Sequence, residues 1–398
     1  MGKIMPEEIL RQRKLMYPFM LILVLLLGVG FAALYSASYY RALQLTGDSL
    51  YYVRRQAIFG VMGIAGGILA FLIPEKSFKW IVPLVLTLSL ALMLLTQFSP
   101  LGDTRLGARR WMIIGPVSFQ PSEAVKLSLV LFLANYLGKH GERMKEFAFT
   151  VIPAAVILLF ASLILLQRDF STAVLVTFVS FSMVAVSPAR KKYLLFLLLL
   201  MAVPGVLLLL SEEYRFRRIL GFLYPELDPT GINYQVNMSL RAVASGGLFG
   251  TGFGLGEMKL GAIPEVMADF IFAAFAEETG LVGISVVWVL FMALAWIGYR
   301  CAAAHRSAQP KLFYLGFGCT SMIIWQALMN MGVVVGAVPP TGIPLPFFSL
   351  GGTHLFALLV FCGFIGRTIY APVLQGSHDA AIADDYLAYS RYEYHGGV

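Results

Sequence analysis

The sequence predicts an all-α, polytopic membrane protein with ten transmembrane helices and a large outer loop between the seventh and eighth. Three observations predict it. First, 59% of the 398 residues are hydrophobic and only 13% are charged, where a soluble domain carries about 25% charged residues. Mean hydropathy is +0.78. Second, ten apolar runs recur along the chain, most of them near the roughly 20 residues needed to cross hydrocarbon. Third, Lys and Arg are biased between alternate loops, as the positive-inside rule requires.

In chain order, residues 1–16 form a basic cytoplasmic segment with Lys3, Arg11, Arg13 and Lys14. The apolar run from Tyr17 is longer than the core of a cleaved leader, so it reads as a signal anchor. The ten runs are 17–38, 57–73, 80–98, 122–137, 148–166, 171–187, 193–210, 269–299, 312–337 and 350–370. The fourth is short and carries Glu123 and Lys126. The eighth exceeds one span, so it is expected to tilt or to begin in the interface. The membrane domain therefore covers 17–370, with an outer loop at 211–268 and a polar cytoplasmic tail at 371–398.

With the N-terminus inside, the inner loops hold Lys76, Lys79, Lys139, Arg143, Lys145, Arg190, Lys191, Lys192, Arg300, Arg306 and Lys311. The outer turn at 338–349 has no Lys or Arg. An even number of spans returns the C-terminus to the cytoplasm. The net charge of +8 thus has a topological source. It has a second source as well. Arg105, Arg109 and Arg110 sit in one outer loop, and Arg215, Arg217, Arg218, Arg241 and Lys259 in another. These oppose the orientation rule. They are either solvated loop charge or a site for phosphate oxygens, which suit guanidinium forks.

The glycine-rich stretch Ser245–Gly254 permits positive φ and close backbone approach. It lacks the Lys-Ser/Thr of a nucleotide-binding loop and any preceding strand, so nucleotide binding is excluded. Nothing in the chain indicates nucleic acid. Cys301, Cys319 and Cys362 have neither metal-ligand nor disulfide spacing and read as core packing. No His/Cys cluster or Ser-His-Asp set is evident.

Four constellations remain. Asp269 stands at the mouth of the eighth run, where a carboxylate is either a helix N-cap or a functional group at the edge of hydrocarbon. Glu123 and Lys126 share a helix face. They are either a structural pin or part of a cavity lining, with Ser122 as the expected cap before them. Asp169 is expected to cap the sixth helix or pair with Arg168. Gln326 and Asn330 share a face of the ninth run, a pattern of interhelical hydrogen bonding. The turn from Pro339 to Pro346 cannot be regular helix. At membrane depth such backbone is buried in protein or lines a cavity.

Together these residues resemble one family. Gly107-Ala108-Arg109-Arg110-Trp111, Phe119–Glu123 with Lys126, Pro264–Gly280, and Thr341–Thr353 resemble the motifs of the SEDS family (shape, elongation, division and sporulation), in matching order across all ten spans. The resemblance implies a peptidoglycan glycosyltransferase in the bacterial inner membrane, with its active site facing outward. The substrate would be lipid II and the product a glycan strand, with release of undecaprenyl diphosphate. Asp269 matches the family's essential aspartate and would act as catalytic base. Arg109, Arg110, Arg215, Arg217, Arg218 and Lys259 are the cations available for the diphosphate, Arg109 foremost because it lies in a motif. Glu123, Lys126, Glu265 and Ser349 complete the candidate substrate contacts. A divalent cation, Mg2+ or Mn2+, could share the task, although no dedicated ligand cage is seen.

The implied partner is a class B penicillin-binding transpeptidase, alongside other division proteins. The motif wording favours the division-type (FtsW) branch over the elongation-type (RodA) branch. Three positions depart from the family pattern. Val266-Met267-Ala268 replaces a segment ending in His-Thr, Arg168 replaces Pro, and His354 replaces Ser. A lipid II flippase and a non-catalytic division scaffold are the competing readings.

Overall fold

The computed structural model describes residues 12–105, 107–115, 117–211, 213–224, 233–257, 259 and 266–371. Residues 1–11, Glu265, the Arg215 side chain and the tail beyond Ala371 lie outside the described residues.

Each predicted run falls on a helix. In chain order these are α1 Met16–Thr46, α2 Tyr51–Leu72, α3 Phe78–Phe98, α4 Pro121–His140, α5 Phe147–Leu166, α6 Phe170–Ala185 and α7 Lys191–Ser211. Two further helices, α8 Glu213–Leu223 and α9 Tyr234–Gly246, lie within the predicted outer loop. The last three are α10 Ile271–Ala304, α11 Pro310–Val334 and α12 Gly352–Tyr370. Among the described residues, seven helices are long and apolar enough to cross a membrane: α1, α2, α3, α5, α10, α11 and α12. The apolar helix α6 is shorter, at 16 residues. Glu123, Lys126 and Lys139 interrupt the apolar character of α4.

The centre of the bundle is α4, the first turns of α10, α11 and α12. Leu129, Leu133, Ile271, Phe272, Cys319, Met322, Leu358 and Ile365 are all buried there. The three cysteines are buried and unbridged. Toward the periphery, Val282, Val286, Val289, Met292 and Trp296 of α10 remain exposed. That is the expected state of side chains whose solvent is lipid. Helix α2 meets α12 through glycines. A Cβ on Gly363 would come within 2.7 Å of the Gly67 backbone. Small residues of this kind let membrane helices approach closely.

Two local features differ from the sequence reading. A three-stranded antiparallel sheet, β1 Gly102–Arg105, β2 Ala108–Ile114 and β3 Val117–Phe119, fills the connection between α3 and α4. Its strands are too short to stand out as periodic runs. At the start of α4 the cap position is Gln120, with Pro121 in the first turn, so Ser122 is not the cap. Proline's fixed φ and missing N–H suit that first turn.

The eighth run is one apolar stretch in sequence, but α10 is broken. At Gly280 φ is 63° and ψ is −163°, a region open essentially to glycine alone. The glycine-rich stretch after α9 fits into the break. Leu281 N donates to Gly247 O at 2.9 Å and Val282 N to Leu248 O at 3.1 Å. In return, Thr251 N donates to Glu277 O at 2.9 Å and Gly252 N to Glu278 O at 3.1 Å. Backbone groups freed by the break thus find protein partners. Broken helices in hydrocarbon require this.

Replacing Gly280 with Ala should therefore disrupt the fold at this junction. A side chain there costs about 1–3 kcal/mol in backbone strain, and its Cβ would come 2.6 Å from Leu248 O. Gly280→Ala is expected to lower the melting temperature in detergent. Gly28→Ala, in α1 with nothing within 4 Å of the added Cβ, is expected to leave it unchanged or raise it.

Candidate active site

Asp269 lies in a turn just before α10. The cap position is Phe270, whose own side chain makes no cap bond. Asp269 therefore stands one residue before the cap position. The residue is partly buried. Its Oδ2 lies 3.2 Å from the point a Cβ on Gly342 would occupy, and Gly342 has φ +73°. A glycine there lets the backbone take the left-handed turn and leaves room for the carboxylate.

The non-helical segment 341–351 is held against Asp269 by side chains from two helices and by its own Ser349. From α11, Asn330 Nδ2 donates to Asp269 O at 2.7 Å and to Ile343 O at 2.8 Å. Within the segment, Ser349 Oγ donates to Ala268 O at 2.5 Å and accepts from Leu345 N at 2.8 Å. Leu350 N donates to Met267 O at 2.8 Å. From α2, Gln56 Nε2 donates to Ser349 O at 3.1 Å, and Gln56 Oε1 accepts from Gly351 N at 3.1 Å. The sequence reading passed over Gln56. Its signal was a lone amide near the start of an apolar run.

Beside this turn, the first residues of α12 reach α4. Lys126 Nζ donates to Glu123 Oε1 at 2.7 Å, and both side chains are almost fully buried. His354 Nδ1 lies 3.3 Å from the same carboxylate oxygen. The predicted pair is therefore a cluster of three, and its third member stands where the family pattern has Ser.

The cations expected on the outer side form two groups, with Lys259 apart from both. Those in the α3–α4 connection are bound to the backbone of helix ends. Arg109 donates to Gln97 O at 3.1 Å, to Gly102 O at 3.3 Å and to Ser99 O. A cation there complements the carbonyl end of α3. Arg110 donates to Gln167 O at 3.4 Å and to Arg168 O, and approaches Asp169 at 3.9 Å. Asp169 caps α6, accepting from Thr172 N at 3.3 Å. Lys259 pairs with Glu278 and donates to Ser36 Oγ of α1 at 2.7 Å.

The second group lies on α8. Arg218 Nη1 donates to Pro340 O at 3.2 Å, two residues from the glycine against Asp269. Arg217 is exposed on the same helix. Among the described residues, no group of three or more His, Cys, Asp and Glu side chains is placed to hold a metal ion.

Comparison with known proteins matches residues 17–370 to the family model for FtsW, RodA and SpoVE, described as cell cycle proteins. The chain belongs to this FtsW/RodA/SpoVE family. It is 35% identical over 357 residues to a Borreliella burgdorferi protein named probable peptidoglycan glycosyltransferase FtsW, covering 88% of this chain and 95% of the relative. It is 35% identical over 348 residues to stage V sporulation protein E of Bacillus subtilis, covering 87% and 94%. Among solved structures it resembles one of a peptidoglycan synthase complex that coordinates polymerization and crosslinking. There the TM-score is 0.71 at 27% identity, covering 89% of this chain and 97% of that one. Thermus thermophilus RodA gives a TM-score of 0.66 at 26% identity, covering 90% and 98%.

The departures from the family pattern now have structural consequences. Arg168 has φ 60°, which proline cannot adopt, so the α5–α6 turn has its own geometry. Met267 is buried and its carbonyl serves the 341–351 segment.

The Glu123 cluster predicts a coupling. Lys126→Met should leave buried Glu123 with His354 but without its ammonium partner, at a cost of up to about 3–5 kcal/mol. The double variant Glu123→Gln/Lys126→Met should be less damaged than the two single effects added. Thermal unfolding of the purified variants measures the difference, and strict additivity would argue against a direct pair.

Proposed function

We propose that this protein is a peptidoglycan glycosyltransferase that polymerises lipid II at the outer face of the bacterial inner membrane. The observation that carries the proposal is the Asp269 carboxylate. It lies against a glycine turn that side chains from α2 and α11 hold in place, at the position that matches the family's essential aspartate. The FtsW names of relatives at about one-third identity support the same reading. They also favour the division branch.

The acceptor sugar hydroxyl attacks the anomeric carbon of the donor. The Asp269 carboxylate accepts the hydroxyl proton as the new C–O bond forms. The bond to the diphosphate breaks, and undecaprenyl diphosphate leaves. Negative charge grows on the diphosphate, where positioned cations lower the barrier. Arg217 and Arg218 are the arginines assigned here, because α8 contacts the Asp269 turn through Pro340. Arg109, Arg110 and Lys259, bonded to helix ends and to Glu278, are the further candidates for the diphosphate. Glu123, Lys126 and Ser349 support the site from within. The relative solved in a synthase complex supports a class B penicillin-binding transpeptidase as partner.

Two measurements test this. Asp269→Asn keeps size but cannot accept the proton. It is expected to fold and insert yet make almost no glycan from lipid II. Near-normal synthesis would sink the assignment of Asp269 as the base, whereas no synthesis by the wild-type protein would favour the flippase or scaffold readings. Arg217→Ala is expected to weaken lipid II use several-fold. Unchanged lipid II dependence would return Arg217 to solvated loop charge.

A further inference from the structure

We propose that Asn330 is a positioning residue for the Asp269 carboxylate. One amide nitrogen donates to two carbonyls on separate chain segments. The bond to Asp269 O, at 2.7 Å, fixes the backbone that carries the acid. The bond to Ile343 O, at 2.8 Å, fixes the turn against which that acid packs. Gly342, adjacent to Ile343, lies against Asp269 Oδ2. A single side chain therefore sets both faces of one contact.

Burial makes the fork stiff. Asn330 is 1% exposed, and water does not compete for its donors. It sits near the end of α11, most of whose residues are buried, so its Cα moves little. Other backbone restraints near the acid act on its neighbours, with Ser349 bound to Ala268 O and Leu350 to Met267 O. The bond from Asn330 is made to the backbone of Asp269 itself. Loss of the fork would leave the carboxylate in place chemically but free to shift by a fraction of an ångström to an ångström. Displacement on that scale costs up to about a hundredfold in rate.

This inference rests on Asp269 being the base. The test is lipid II polymerisation by full-length protein reconstituted in vesicles. Asn330→Leu keeps volume and removes both donors. It is expected to lower kcat at least tenfold while KM for lipid II changes less than twofold, because the defect lies in the reacting geometry and not in binding. Gly342→Ala places a methyl group on the carboxylate from the opposite side. It is expected to lower kcat in the same way. The double variant should lose less than the product of the two single losses, since both displace one carboxylate.

Wild-type kcat in Asn330→Leu would overturn the inference. So would a loss confined to KM, a loss matched by fewer folded molecules at unchanged kcat per molecule, or strictly multiplicative losses in the double variant. If Asn330→Leu gives no folded protein, Asn330→Ser, which keeps one donor, is measured by the same criteria. Asp269→Asn separates the two readings. Synthesis by Asp269→Asn sinks the base assignment itself. An inactive Asp269→Asn beside a fully active Asn330→Leu sinks only the positioning role.

Discussion

A peptide group carried into hydrocarbon must find its hydrogen-bond partner within the protein, and the functional end of this molecule depends on that constraint. The chain leaves helical geometry at two critical places, the break at Gly280 and the segment 341–351. In each, another part of the chain supplies the missing partners. The glycine-rich stretch does so for α10, backbone to backbone. Gln56, Asn330 and Ser349 do so for the segment beside Asp269, side chain to backbone. Irregular backbone can then present a carboxylate at the edge of the bundle without exposing unpaired amides to lipid.

The charged residues follow the same economy of partners. Glu123 with Lys126, and Glu278 with Lys259, are buried opposite charges. Burying a pair carries a desolvation penalty that its own attraction only partly offsets. Their value is better sought in register than in stability. Lys259 and Ser36 fix a loop and α1 to Glu278, two residues before the break at Gly280. His354 and Glu123 fix the start of α12 to α4. Arg109 and Arg110 act through the backbone carbonyls at the ends of α3 and α5. Arg109, Arg110 and Lys259 thus have partners within the protein, and the arginines of α8 stand out because one of them reaches the Asp269 turn.

Membership of the FtsW/RodA/SpoVE family leaves room for features of this chain's own. Arg168 bends a turn in a way that the usual proline could not. His354 adds an imidazole to a buried ion pair. Arg168 directly precedes the α6 cap Asp169, and His354 lies 3.3 Å from Glu123.

The sequence by itself determined the helical membrane fold, the place of every apolar run, the internal disposition of the cysteines and the singular position of Asp269. Hydrophobic run length and charge bias are local quantities, and the bilayer reads them directly. Contacts between distant segments were not legible. Gln56 with Ser349, Asn330 with Asp269 and His354 with Glu123 join residues whose proximity only packing creates. The tertiary structure also decided which arginines serve helix ends, where α10 breaks, and that Phe270 rather than Asp269 takes the cap position. A side chain's partner depends on what the fold brings within about 3 Å of it, and no spacing along one chain records that distance.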